Sequence, residues 1–283
     1  MSVAVVTFVY NESVNLPIWR RYYAANFGER NLFVADREST DGSTADLGAV
    51  NRLTLPHTPF DEFAKTGFIN ALHRSLLHYY DTVIYTDCDE IIVPGPAHVS
   101  LDAYLRASDF DYVSCVGLNV LHLLNEEDPL EPDRPILRQR RYARFFSPTC
   151  KTLISRVPIQ WLPGIHSCDK PPKIDPDLYL FHTKTMDYAI AMRRQAINRA
   201  TEWSEASLAQ DLGAHHRYDR QRFVREAFLD PMNGIAQGQL APFEFSAEIA
   251  RIAAETRPAD GFFHIPMDIA KLVAIPDELK DAF

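Results

Sequence analysis

The sequence predicts an α/β fold: a Rossmann-like, mostly parallel sheet with flanking helices, followed by a C-terminal helical region. Two observations support this. Short runs rich in valine, isoleucine and leucine alternate with longer stretches of helical periodicity in the first third of the chain, as in βαβ units. The residues that follow these runs are acids and amides, and in a parallel sheet such residues gather at one edge, where ligands bind.

The first third of the chain divides into four predicted strands and two predicted helices. The strands are residues 3–8, 31–35, 50–55 and 82–85. The helices are residues 16–27, ending at Gly28, and residues 61–80, which carry an apolar face.

The rest of the chain changes character near residue 185. Extended segments are predicted at 112–120, 136–146, 152–156 and 178–181, and helices at 186–212, 219–229 and 246–255. We therefore expect a core of residues 1–185 and a helical region of residues 186–283 packed on it. We expect this region to mediate packing or self-association in a homo-oligomer, and to carry no part of the ligand site.

Composition narrows the class of protein. The chain has 283 residues, of which 46% are hydrophobic and 24% charged, and a net charge of −9, which argues against a nucleic-acid partner. No segment approaches the roughly 20 apolar residues of a membrane span, and the first residues lack the basic start of a signal peptide. The four cysteines form no C-x-x-C pair, so we expect free thiols and a cytoplasmic location.

The most informative motif is the acidic run after the fourth predicted strand. Asp87 and Asp89 are two residues apart, so on an extended chain both point the same way. Their carboxylates repel each other unless a cation lies between them, and hard oxygen ligands suit Mg²⁺ or Mn²⁺, which also bind phosphate oxygens. The motif therefore indicates a metal-assisted site for a diphosphate.

Four stretches, in this order, resemble the family 2-like glycosyltransferases of the GT-A fold, most closely the single-domain bacterial members. They are residues 6–12 (VTFVYNE), residues 34–44 (VADRESTDGST), the D-x-D of residues 87–89, and residues 151–182 with the turn Gly164-Ile165-His166 and a late histidine, His182. The resemblance covers roughly residues 1–190.

The resemblance implies the roles of individual residues. Residues that would bind the nucleotide or its diphosphate are Thr7, Tyr10, Asn11, Glu12, Asp36, Asp41, Lys65, Asp87 and Cys88. Asp36 would accept hydrogen bonds from the base or ribose. A Mn²⁺ or Mg²⁺ ion would be held by Asp87, Asp89 and His182.

The catalytic residues are only partly identified. Asp89 and His166 are candidates, as are the acids Glu127 and Asp128, with Glu126 beside them. A carboxylate or histidine is needed to deprotonate the acceptor hydroxyl. The sequence leaves open which of these residues is the base.

Two basic features are assigned to the surface. Along a strand, Arg138, Arg140 and Arg144 would share one face, either paired with the acidic stretch 126–133 or binding an anionic acceptor. The adjacent pair His215 and His216 cannot share a helix face and is interpreted as a surface feature.

The resemblance implies a metal-dependent, inverting transfer of one sugar from a nucleoside diphosphate sugar, with a UDP-sugar favoured. The acceptor would be a hydroxyl of a glycan or another molecule, as in polysaccharide biosynthesis. The chain has no Q-x-x-R-W motif, which speaks against a processive synthase. One alternative is a sugar-1-phosphate nucleotidyltransferase, although the turn after the first strand lacks glycine. Another is a non-catalytic sugar-nucleotide-binding module.

Overall fold

An eleven-stranded sheet runs through the molecule in the computed structural model, which describes residues 1–283. The strands are β1 (Val3–Val9), β2 (Leu32–Asp36), β3 (Asn51–Thr54), β4 (Thr82–Tyr85), β5 (Glu90–Pro94), β6 (Tyr112–Val120), β7 (Tyr142–Phe146), β8 (Thr152–Ser155), β9 (Ile174–His182), β10 (Leu240–Ala241), β11 (Arg257–Ala259), β12 (Phe262–His264) and β13 (Ala270–Ala274). Strands β11 and β12 form a separate hairpin, and the other eleven strands make up the sheet.

Eight α-helices flank and extend this sheet. They are α1 (Asn15–Phe27), α2 (Glu62–Leu76), α3 (Leu101–Ala107), α4 (Tyr188–Ala200), α5 (Glu205–Ala209), α6 (Arg220–Val224), α7 (Asp230–Ala236) and α8 (Ser246–Glu255). A π-helical turn, Arg225–Leu229, joins α6 to α7. None of the helices combines the length and apolarity needed to cross a membrane.

The first third of the chain folds as the sequence predicts. Strands β3, β2, β1 and β4 lie side by side and are all parallel, with Val9 opposite Asp36 and Val6 opposite Tyr85. Buried β-branched residues fill β1 and β4, as expected for strands covered on both faces. The mixed α/β architecture is compatible with a Rossmann-like fold.

Beyond β4 the sheet becomes mixed. Strand β8 is antiparallel to β4, and β6 is antiparallel to both β8 and β7. Strand β9 lies parallel to β6 and antiparallel to β5, which places His182 opposite Glu90 and next to Asn119. The D-x-D segment between β4 and β5 therefore lies beside the end of β9.

The segment 136–146 is only partly a strand, contrary to prediction. Residues Ile136–Arg138 form a 3-10 turn, and only Tyr142–Phe146 is extended. The reason lies in Arg140, which is fully buried and donates hydrogen bonds to the carbonyl oxygens of Met186 and Asp128. The predicted arginine face does not exist, because Arg138, Arg140 and Arg144 do not share a strand.

The predicted helix 186–212 is interrupted. Helix α4 ends at Ala200, and residues 202–204 run extended beside Phe60, whose N–H donates to the Glu202 carbonyl and whose carbonyl accepts from the Ser204 N–H. Ser204 then caps α5 through its side chain. Backbone pairing with a distant segment therefore outweighs the local helical pattern.

The C-terminal region is also less helical than expected. Strand β13 returns to the central sheet and pairs antiparallel with β7. One hydrophobic core of 56 buried residues extends from β1 to Phe283 at the chain end. A small second cluster, formed by Ala191, Phe223 and Phe228, supports α4, α6 and the π-helical turn.

Candidate functional site

The candidate site lies where β1, β2 and β4 end. In the parallel register, the residues that follow Val9 and Tyr85 emerge at the same edge of the sheet. This edge carries the residues that we call the strand-end wall: Tyr10, Asn11, Glu12, Asp87 and Asp89.

Asp87 is surrounded by cationic and hydroxyl donors. Its Oδ1 accepts from the Tyr85 hydroxyl at 2.7 Å and from Lys65 Nζ at 3.2 Å, and its Oδ2 lies 3.5 Å from Lys151 Nζ. Burial would raise the pKa of Asp87, but the two ammonium groups outweigh burial and hold that pKa below its usual range. Asp87 is therefore ionised and already charge-compensated by lysines.

The same two lysines already interact with carboxylates of the protein. Lys151 Nζ lies 2.5 Å from Oε1 of the fully buried Glu90, whose pKa burial raises above its ordinary value. Burial would lower the pKa of Lys65, but Asp87 and Glu62 raise it. The sequence predicted Lys65 as a diphosphate contact, and the structure gives it Asp87 as its partner.

Asp89 faces His182, as the metal-site prediction requires. His182 Nε2 lies 3.3 Å from Asp89 Oδ2, and His182 Nδ1 lies 2.9 Å from the Asn119 side-chain oxygen. If Nδ1 donates to Asn119, then Nε2 presents a lone pair toward a carboxylate. Two lone pairs at this distance need a proton or a metal cation between them.

The donor set fits a divalent cation in part. Asp89 and His182 offer one oxygen and one nitrogen, and a metal that binds phosphates fills its remaining positions with substrate oxygens and water. No group of three His, Cys, Asp or Glu side chains is arranged to hold a metal by itself. Asp87 contributes poorly to such a set, because lysines and Tyr85 occupy both of its oxygens.

Asp36 does not open into the cleft. Its side chain is fully buried and accepts hydrogen bonds from the Ser39 N–H, the Thr44 hydroxyl and the Arg52 guanidinium. The prediction that Asp36 contacts the base or ribose is therefore not supported by its placement. Its position at a strand end is used to hold the loop that follows.

The same loop is tied down by Asn11 and Asp41. Asn11 Oδ1 accepts from the N–H groups of Thr40 and Asp41, and the Asp41 carboxylate accepts from the N–H groups of Ser13 and Ser43. Both residues stabilise loop geometry beside the cleft. The D-G-S/T part of the motif therefore acts here mainly as a turn.

The predicted nucleotide-binding residues in and near β1 and the D-x-D differ in whether they reach the cleft. Thr7 is fully buried within the strand and Cys88 points inward toward Glu12, so neither side chain reaches the cleft. Tyr10 is partly exposed and stacks on His57 with ring centroids 4.6 Å apart, with the Arg37 guanidinium over its ring. These planar groups form a surface against which a base can stack.

Glu12 connects the strand-end wall to helix α4. Its Oε1 lies 2.7 Å from the Arg194 guanidinium, and its Oε2 accepts from Asn15. Burial raises the pKa of Glu12 to about 7, although Arg194 acts in the opposite direction. Arg194 also donates to the carbonyl oxygen of Tyr10 at 2.7 Å.

His166 is held in a strained turn beside the site. The preceding Ile165 has φ of 59°, which is unusual for a β-branched residue and is typical of functional turns. A Cβ on Gly164 (φ 81°) would lie 3.1 Å from the His166 ring, so glycine leaves room for it. His166 Nδ1 lies 2.7 Å from the Pro148 carbonyl, so Nδ1 carries the proton and Nε2 is free to accept one. Burial and then Lys151 lower the pKa of His166 to about 4.

The acids proposed on the acceptor side have structural contacts. Glu127 accepts from the N–H groups of Leu123 and Arg141, and Glu126 pairs with Arg141 at 2.6 Å. Asp128 is exposed, and its carbonyl receives Arg140. The prediction of Glu127 and Asp128 as catalytic residues is not supported, because their segment is bound to Arg140 and Arg141 instead.

A second set of polar residues, which was not predicted from the sequence, lies beside the D-x-D. We call it the C-terminal wall, and it consists of Lys184, Arg194, Asn198, His215 and His216, which line one pocket. Lys184 follows Thr183, whose N–H donates to the Asp89 carbonyl at 2.7 Å. His215 is exposed, as expected of a surface pair, whereas His216 is half-buried, and both line this pocket. The C-terminal region borders the candidate site, because Arg194 contacts Glu12 and the Tyr10 carbonyl. Only the proximity of Lys184 to His182 in the sequence could have indicated it.

Comparison with known proteins assigns no family. No protein-family model matches this chain, and none of the curated proteins matches it. The geometry of the two walls is therefore the basis for any functional conclusion.

Proposed function

We propose that the protein is a glycosyltransferase of the GT-A type that transfers one sugar from a nucleoside diphosphate sugar to a hydroxyl acceptor. The observation that carries the proposal is the Asp89–His182 pair, 3.3 Å apart at the end of β4, beside cationic side chains. Divalent cations and cationic side chains are both groups that bind a diphosphate. A UDP-sugar is the donor we favour, from the resemblance of the motifs.

The residues present suggest how the donor is held. Asp89 and His182 would hold a Mn²⁺ or Mg²⁺ ion, and the imidazole nitrogen favours Mn²⁺. When bound, that ion supplies Lewis-acid stabilisation of the charge that develops on the leaving diphosphate. Lys65 and Lys151 hold Asp87 ionised and in place, and the planar surface at Tyr10 and His57 receives the base.

His166 is the best available base among the candidates. Its Nε2 is free, while Glu126 and Glu127 are engaged by Arg141. The lowered pKa of His166 keeps the ring neutral near pH 7, although it also makes the ring a weaker base. Its free Nε2 is the atom that would accept the proton of an acceptor hydroxyl. Direct attack by that hydroxyl would invert the configuration at the sugar carbon.

The free cysteines support a location in a reducing compartment. All four, Cys88, Cys115, Cys150 and Cys168, are buried thiols without a disulfide partner. We therefore propose that the enzyme works in the cytoplasm.

A donor panel tests the proposal. Wild-type protein is incubated with UDP-, GDP- and ADP-sugars and Mn²⁺, and release of free nucleoside diphosphate is measured. Asp89→Asn should reduce release at least about 100-fold, because an important electrostatic contact to the leaving group is lost. Asp102→Asn, which changes a carboxylate on α3 paired with Arg106, serves as the control and should leave release unchanged.

The same assay separates the alternatives. Pyrophosphate production from a nucleoside triphosphate and a sugar 1-phosphate would indicate a nucleotidyltransferase. Nucleotide binding without any turnover, across the panel and a set of hydroxyl acceptors, would indicate a binding module. Normal turnover by Asp89→Asn would contradict the proposed site.

A further inference from the structure

The pocket at the C-terminal wall is lined by polar side chains without a carboxylate. Its polar lining residues are Lys184, Arg194, Gln195, Asn198, His215 and His216. Within the pocket Arg194 is paired with Glu12, and most cationic side chains elsewhere in the molecule are also paired with acids, as Arg138 and Arg141 are. A pocket that gathers donors and excludes acids is suited to an anion.

Lys184 is the uncompensated cation in this pocket. It is partly buried, and its ammonium group has no hydrogen-bond or ion-pair partner, whereas Lys65 and Lys151 each contact a carboxylate. The charged groups around Lys184 are Asp89 and Asp87, which attract it, and Arg194 and Lys151, which repel it. A partly buried ammonium without a contact partner is a natural place for a ligand's negative charge.

The histidines are held so that they can donate. The Asn198 amide nitrogen lies 3.0 Å from His216 Nδ1, and if the amide donates there, the ring proton is on Nε2 and available to an anion. The ring of His215 lies next to it, with centroids 4.0 Å apart. Burial and then the Lys184 charge lower the pKa of the half-buried His216, so its ring is neutral at pH 7. His215 is exposed to solvent.

The backbone that carries these histidines is fixed in place. Gly213 has φ of 62°, and a Cβ there would lie 2.3 Å from the Trp203 ring, so the turn before His215 packs directly on Trp203. Trp203 in turn packs edge-on against Phe60, with centroids 4.9 Å apart. The pocket is therefore anchored to the segment just before α2 and does not depend on a free loop.

We propose that Lys184, with His215 and His216, binds a phosphoryl group, and that this group belongs to the diphosphate of the donor. The link from Thr183 to the Asp89 carbonyl places Lys184 beside the D-x-D, which favours the donor over a phosphate on the acceptor. The choice of the donor rests on the proposed function, while the phosphoryl-binding pocket does not. In this arrangement the C-terminal wall completes the diphosphate site.

Titration calorimetry on the full chain tests the inference with inorganic pyrophosphate and with UDP and GDP, each with Mn²⁺. Lys184→Met should weaken the binding of pyrophosphate, and of whichever nucleoside diphosphate the wild type binds, about tenfold or more. This is the usual loss for a charged hydrogen bond. Lys184→Arg should recover much of the affinity. Arg199→Met removes one unpaired, exposed charge from α4 and should bind within about twofold of wild type, since surface charges contribute little. Circular dichroism melts check that each variant is folded.

Each outcome decides the inference. The inference is supported if Lys184→Met loses affinity and if pyrophosphate competes with the nucleotide in wild type. This result stands even if no sugar nucleotide is turned over. Unchanged affinity in a folded Lys184→Met protein overturns it while leaving glycosyl transfer intact. Wild-type protein that binds neither pyrophosphate nor a nucleoside diphosphate overturns it as well. A different result is that pyrophosphate or glycerol phosphate still binds when the nucleotide is saturating, and that this binding depends on Lys184. That result would assign the pocket to the acceptor and overturn the donor assignment.

Discussion

The two walls of the cleft are built differently, although they face the same site. The strand-end wall continues from buried parallel strands that belong to the core of 56 residues. Helix α4 of the C-terminal wall touches that core through the partly buried Ile190, and otherwise rests on a cluster of three buried residues and on polar contacts such as that between Arg194 and Glu12. The first wall is held by the main core and the second by a few side chains.

This difference separates two kinds of contribution to a site. In the strand-end wall, most polar groups already have protein partners: Asp87 has lysines, Glu12 has Arg194, and Asn11 holds a loop. In the C-terminal wall, Lys184 has none. The rigid wall therefore provides shape and a metal position, and the more lightly supported wall provides unused charge for a ligand.

The largest expected effect compares one aromatic residue from each region. Phe181 lies in β9 and is fully buried in the main core, and Phe228 is equally buried in the small cluster. Phe181→Ala should lower the free energy of global unfolding by about 3–5 kcal/mol, as large-to-small core changes do. Phe228→Ala should mainly open residues 188–236, because local units can unfold separately. Hydrogen exchange by mass spectrometry distinguishes the two.

The control for this comparison is the amide hydrogen exchange of strands β1 and β4. In Phe228→Ala their protection should stay at the wild-type level, whereas in Phe181→Ala it should fall together with that of the other strands. Equal loss of protection throughout both variants would show that the two walls unfold as one unit.

A smaller effect tests whether the loop after β2 is structural. Asp36→Ala should lower the free energy of unfolding by about 2–3 kcal/mol, because it removes several buried hydrogen bonds and leaves Thr44 and Arg52 without an acceptor. Asp41→Ala, at an exposed turn, should cost less than about 1 kcal/mol. Urea unfolding measures both. An Asp36→Ala protein of normal stability that binds nucleotide poorly would return Asp36 to the ligand site.

Local patterns predicted much of the fold. The bounds of β6 and α8 match the predicted segments 112–120 and 246–255, since alternation, periodicity and length are properties of contiguous residues. The D-x-D and His182 also come together, as their positions at strand ends suggested. These features depend on neighbours within one element or on the ordering of parallel strands.

The remainder depends on contacts between distant segments. Residues 202–204 leave the helical pattern to pair with Phe60, and Arg140 interrupts a predicted strand to bind the Met186 carbonyl. Lys184 and His216 look like ordinary surface residues until the turn at Gly213 packs on Trp203. No pattern within a single segment encodes such pairings, so the C-terminal wall could not be predicted.

The last expected effect depends on pH and concerns Glu12, which joins the two walls. Burial raises the pKa of Glu12 from its ordinary value of 4.5 to about 7, and the ion pair with Arg194 only partly opposes this. Between these two pH values the folded protein keeps a proton that the unfolded chain releases. The contribution of Glu12 to stability is therefore fully present below pH 4.5 and is lost as the pH rises through 7, with a slope on the order of 1 kcal/mol per pH unit.

Glu12→Gln mimics the protonated carboxyl and isolates this effect. The variant should match wild type near pH 5 and become relatively more stable by pH 8, measured as the difference in urea unfolding free energy, because other carboxylates titrate alike in both proteins. Arg194→Met in the Glu12→Gln background should then cost less than in wild type at pH 8, since the charge that Arg194 compensates is absent. A Glu12→Gln protein that is less stable than wild type at pH 8 would mean that the attraction of Arg194 exceeds the cost of burying the carboxylate. The joint between the walls would then be a stabilising ion pair, and the C-terminal wall would be held more firmly than its small hydrophobic cluster suggests.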